Sequence, residues 1–65
     1  MKYLKGMFTC ENKKDINGRL EYEKEILEEI HKNMTCTILN VKYKFLTIGL
    51  LQVDYQYYLK NVEVE

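Results

Sequence analysis

Two different periods divide the chain. From Tyr3 to Cys10, Leu4, Phe8 and Cys10 fall on one side and Lys5, Met7 and Thr9 on the other, the two-residue alternation of a strand over 3–10. Gly6 interrupts it and marks a bulge or a close backbone approach. Glu11 to Asp15 is polar and loop-like. Leu20, Ile26, Leu27, Ile30 and Met34 then recur at helical spacings, which predicts an amphipathic helix over 18–33. Asp15 or Asn17 is positioned to cap its start. Glu21, Glu23 and Glu25 lie near its beginning and His31 and Lys32 near its end, as the helix dipole favours, and Glu28 pairs with Lys32 one turn on.

At Thr35 the period returns to two and predicts strands over 35–45 and 51–60, joined as a hairpin by the five-residue loop Leu46-Thr47-Ile48-Gly49-Leu50. Like pairs with like if Phe45 faces Leu51, Tyr43 faces Val53, Val41 faces Tyr55 and Leu39 faces Tyr57. The other side then pairs Lys44 with Gln52, Lys42 with Asp54, Asn40 with Gln56 and Ile38 with Tyr58. Residues 61–65 form a tail in which Val62 and Val64 alternate with glutamates, an edge strand or a frayed end. Crossover connections normally make their two strands parallel. The predicted fold is therefore α+β: a single small β-α-β-β domain, with one amphipathic helix packed on a three-stranded mixed sheet with a C-terminal β-hairpin. The helix is expected on the face carrying Leu39, Val41, Tyr43, Val53 and Tyr55.

Size changes this picture. At 65 residues there is room for one domain, and only about 60% of the unfolded surface becomes buried at this length. Three aliphatic residues, Leu46, Ile48 and Leu50, occupy a hairpin tip that is ordinarily polar, so either the tip folds over the helix end or another chain covers it. Oligomerisation is a common remedy for a marginal core, and a homo-oligomer is the expectation, with those three residues at its interface.

Ten basic and ten acidic side chains balance to a net charge of zero, but unevenly along the chain. Residues 15–33 carry −3, while 1–14 carry +3 and 34–60 carry +2. The helix exterior is accordingly acidic, through Glu21, Glu25, Glu28 and Glu29, and the open sheet face mildly basic. There Lys42, Lys44 and Lys60, with Gln56 and Tyr58, compose a candidate site for a small anionic, nucleotide-like ligand, the ammoniums meeting phosphate and the tyrosine stacking on a base. Duplex-binding domains carry a larger basic excess, which argues against nucleic acid as the partner.

Chemistry for catalysis is sparse. The sequence has no serine, one histidine (His31), and no phosphate loop or zinc pattern. Cys10 and Cys36 lie at opposite ends of their strands and read as free thiols rather than a bridge or a metal site. No enzyme activity, cofactor or metal is expected. No apolar run approaches the roughly 18 residues of a membrane span. The first residues lack a signal-peptide pattern, which points to the cytoplasm (a host's, if phage-encoded). Lys, Asn, Ile, Tyr and Phe supply 27 of 65 residues and Ser, Ala, Pro and Trp none, as an AT-rich genome would encode. The expected function is that of a small non-enzymatic binding or inhibitor protein acting as a homo-oligomer. A phage or mobile-element counter-defence protein is one such, sequestering a small anionic ligand or blocking a host protein. The alternatives are a small nucleic-acid-binding regulator and a structural subunit of a larger assembly.

Overall fold

The computed structural model describes residues 2–61. Strand β1 (Leu4–Cys10) leads through a short 3-10 turn (Lys13–Asp15) into helix α1 (Ile16–Ile30), followed by β2 (Met34–Thr47) and β3 (Leu50–Asn61). The helix packs on a three-stranded sheet of order β1-β3-β2. Both outer strands run antiparallel to β3, so the sheet is antiparallel and not mixed. β1 and β2 do point the same way, as a crossover requires, but β3 occupies the place between them. The reason lies in β3 itself: Leu51, Val53 and Tyr55 are its most buried residues, and a central position pairs both of its edges. Val62 and Val64 lie outside the described residues.

The helix starts two residues before the expected Gly18 and ends three before Asn33. Its entry is organised by Asn12, whose side-chain oxygen accepts from the Lys14 N–H at 3.2 Å; Asp15 occupies the helix cap position without a side-chain cap bond. Asn33, at φ 66°, turns the chain into β2. Ending at Ile30 leaves Lys32 beyond the helix, so Glu28 and Lys32 do not pair along it. The ion pair in α1 joins Arg19 and Glu23 at 3.5 Å. Ile16, Leu20 and Leu27 form the inward stripe, whereas Ile30 is 65% exposed and faces out.

The core centres on Phe8, Ile16, Val53 and Tyr55, with Cys10, Leu20, Leu27, Ile38 and Tyr57 packed against them. This differs from the expected helix-facing set, and a β-bulge is the cause. Phe45–Leu51, Lys44–Gln52, Tyr43–Val53 and Lys42–Asp54 pair as the side-chain pattern predicts. Between Lys42 and Leu39 the register slips by one residue, giving Leu39–Gln56, Ile38–Tyr57 and Cys36–Leu59. One slip turns every following side chain over. Ile38 and Cys36 consequently join the core, and Leu39 turns to the open face. Asn40, at φ 53°, takes the left-handed conformation that asparagine tolerates better than most residues.

The hairpin closes more tightly than expected. Thr47 pairs with Leu50 across a two-residue turn, Ile48-Gly49, and a second irregularity at Leu46 replaces the five-residue loop. Gly49, at φ 79°, supplies the positive φ that the third position of such a turn demands. The 15-residue helix is about 22 Å long against about 46 Å for the 14-residue β2. The hairpin therefore projects as an arm, and the molecule measures 49 × 20 × 15 Å.

Candidate functional site

The two faces of the sheet differ sharply. Opposite the helix, the open face carries Lys5, Met7 and Thr9 from β1, and Gln52, Asp54, Gln56 and Tyr58 from β3. Thr37, Leu39, Lys42 and Lys44 continue it on β2. The Asn40 bulge shapes this face. It sends the Asn40 amide to Gln56, Nδ2 donating to Oε1 at 2.6 Å, and beside that pair opens a concavity of about 790 Å³. Lys5 and Met7 contribute one wall and Lys42 the other, with Asp54, Gln56 and the Gly6–Tyr55 cross-strand pair between them. The Asp54 carboxylate accepts from the Gln52 amide at 3.1 and 3.2 Å. Among the described residues the one ion pair within 4 Å is the helix pair Arg19–Glu23, so the Lys5 and Lys42 ammoniums are both uncommitted.

Of the five candidate ligand residues, the structure brings Lys42 and Gln56 together in this concavity. Lys44 lies beside Gln52 toward the arm, and Lys60 pairs with Thr35 at the far end. Eight residues of β3 separate those positions, about 26 Å along the strand. Tyr58 packs edge-on against Tyr3, with ring centroids 5.9 Å apart. Lys5 and Asn40 are absent from the site expected from the sequence, although side-chain matching does set Asn40 beside Gln56. Lys5 was hidden because β1 was not placed beside β3, and Asn40 because nothing in a regular alternation reveals a bulge; its tolerance of positive φ is the one local signal.

The arm is the second unusual surface. Ile48 is 101% exposed, Phe45 67%, Leu46 48%, Tyr43 42% and Val41 39%. Leu50 is half-buried. Tyr43 and Phe45 meet edge to face at 6.3 Å on the helix side of the arm, and Lys13 sits over the Tyr43 ring at 5.1 Å. A groove of about 370 Å³ continues that side between α1 and β2, with Leu20, Ile38 and Val41 as its apolar lining and Glu21 and Lys24 at its rim.

Cys10 and Cys36 are free thiols on the two outer strands, beside Leu51 and Leu59 respectively. Burial pushes the Cys36 thiol pKa up, and the Glu28 carboxylate adds to the rise. Tyr55 is raised as well, by burial first and then by Glu23. Each group is neutral when protonated, so the folded state holds its proton more tightly than the unfolded state. Their contribution is complete below the ordinary values, about 8.5 for Cys and about 10 for Tyr, and is lost as pH climbs through the raised ones. The expected result is a denaturation midpoint that falls above about pH 8.5 and steepens near pH 10, measured by urea titration across alkaline buffers. A midpoint that stays flat or rises over that range would contradict it. Glu28, placed by the sequence on the acidic exterior, instead reaches inward and accepts from the Cys36 N–H at 2.9 Å.

Among the described residues no helix is long and apolar enough to cross a membrane. Comparison with known proteins returned no matching family, no matching curated protein and no matching solved structure.

Proposed function

We propose that the chain is a small non-enzymatic binding protein, working as a homo-oligomer, whose open sheet face captures a small anionic ligand of nucleotide type. The observation that carries this reading is the bulge-built concavity, where two lysines from different strands, with no ion pair among the described residues, flank paired side-chain amides and Asp54. Lys5 and Lys42 supply charge for a phosphate or carboxylate, Asn40 and Gln56 supply donors and acceptors, and the exposed Met7 side chain offers an apolar contact for a ring. The AT-coded residue usage fits a low-GC bacterium, its phage or a plasmid; in a phage or mobile-element setting such capture would serve counter-defence.

Calorimetric titration with ATP, AMP and inorganic phosphate tests the site. Lys42→Ala and Lys5→Ala should each weaken nucleotide binding at least about tenfold, the loss of one charge-assisted contact. Lys60→Ala, remote from the concavity, should leave it unchanged. Unaltered affinity in Lys42→Ala would sink the reading. A second reading, a nucleic-acid-binding regulator, draws on the spread of Lys5, Lys42, Lys44 and Lys60 along one elongated face. Steep loss of oligonucleotide binding with added salt distinguishes it.

A further inference from the structure

We infer that the apolar arm is a two-fold interface with a second copy of this chain, in which the Ile48 tip of each copy seats in the α1–β2 groove of the other. This rests on the homo-oligomer reading above and names its contact surface. Val41, Tyr43, Phe45, Leu46 and Ile48 together expose on the order of 500 Å² of largely apolar surface on one arm, near the upper limit for a monomer's largest patch. Two such patches facing each other bury at most on the order of 1,000 Å², about the smallest area that a specific interface clears.

The arm is also self-complementary. A two-fold axis placed between Tyr43 and Phe45 sets each position past Phe45 against a position before Tyr43 on the other copy. Ile48 then falls against Asn40 of the opposite arm, next to Val41 at the mouth of the groove lined by Leu20 and Ile38. The Ile48 knob and the Val41 mouth of the groove thus lie four and three positions from the axis. Charge enters the pairing at two places: Lys13 lies over the Tyr43 ring beside the axis, and the groove rim carries one glutamate and one lysine.

Packing by face, not by strand addition, follows from the edge of β2. The bulge at Asn40–Val41 and the irregularity at Leu46 interrupt its outer edge, leaving only Lys42 to Phe45 regular between them. Bulges and lysines are the devices that keep sheet edges from pairing. On the apolar face the lysines sit beside the aromatic ring and the groove, Lys13 over Tyr43 and Lys24 at the groove rim.

Sedimentation velocity from low to high micromolar concentration tests the interface, with circular dichroism to verify folding. The wild type should be a dimer. Ile48→Lys on the knob and Val41→Lys on the groove should each raise the dissociation constant at least about tenfold. Both positions are exposed in one copy, so the fold tolerates them. Thr9→Lys, on the open face outside the concavity, serves as the control and should still dimerise. A wild-type monomer throughout would overturn both this interface and the homo-oligomer reading. A dimer that survives either Ile48→Lys or Val41→Lys would overturn the arm alone and leave the oligomer standing on another surface.

Discussion

Gly6→Val will destabilise the domain by about 3 kcal/mol, the upper part of the range for forcing extra methyl groups into packed space. Gly6 pairs with Tyr55 of the central strand, and a Cβ built at Gly6 lands on the far end of that tyrosine ring, at Cζ, Cε2 and Oη. A ring on a free side chain could swing aside. This one is held: Tyr55 is 5% exposed, with Phe8 at 6.1 Å on one side and Tyr57 at 6.1 Å on the other. Moving it disturbs both of these aromatic contacts and the Phe8–Val53 pair beside it. A domain of this size has only a few kcal/mol in reserve, so the variant should populate the unfolded state substantially at room temperature. Urea denaturation measures the loss. In a Tyr55→Ala background the same Gly6→Val change should cost far less, since the clash has lost its partner. A loss below about 1 kcal/mol in the wild-type background would show that the ring is not pinned.

The same glycine shows how far the sequence could be read. A glycine inside a strand pattern announces either a bulge or a close approach, and only the pairing of β1 decides between them. That pairing is non-local. The alternation from Thr35 onward located both hairpin strands and the register near Phe45–Leu51, because side-chain matching there leaves one sensible solution. It failed past Lys42, since Ile38 and Leu39 are both apolar and either satisfies the core. A bulge at Asn40 chooses Ile38, and it costs the chain nothing in apparent pattern. The strand order was lost for a different reason. A rule about crossovers fixes the relative direction of β1 and β2 but not what lies between them. As a result, Lys5 could not be placed beside Gln56, and half of the concavity was invisible. The apolar tip was legible from Leu46 and Ile48 alone; its extension to Tyr43 and Phe45 was not, since it depends on where the helix stops covering the sheet.

Glu28→Ala will cost about 2 kcal/mol, the range for leaving a part-buried donor without its charged partner. The Cys36 N–H points to the outer edge of β2, away from β3, and would be an open edge donor if α1 did not cover it. Glu28 reaches down from the helix and accepts that N–H at 2.9 Å, tying the helix to the start of the strand. The side chain is half-buried, so the bond is shielded from full competition by water. Glu28→Gln keeps an acceptor oxygen but loses the charge, and its stability should fall between wild type and Ala. Hydrogen exchange at the Cys36 amide should accelerate in the same order. The thiol gives an independent reading. The Glu28 carboxylate helps to hold the Cys36 pKa up, so removing its charge by Gln or Ala lowers that pKa. Alkylation of Cys36 by iodoacetamide at mildly alkaline pH should then quicken in both variants, measured relative to Cys10 in the same molecule. Local opening alone would quicken Cys36 in Ala more than in Gln, whereas the electrostatic effect appears in both. An Ala variant within about 0.5 kcal/mol of wild type, with an unchanged exchange rate at Cys36, would mean that water replaces the carboxylate and that the edge of β2 needs no cover.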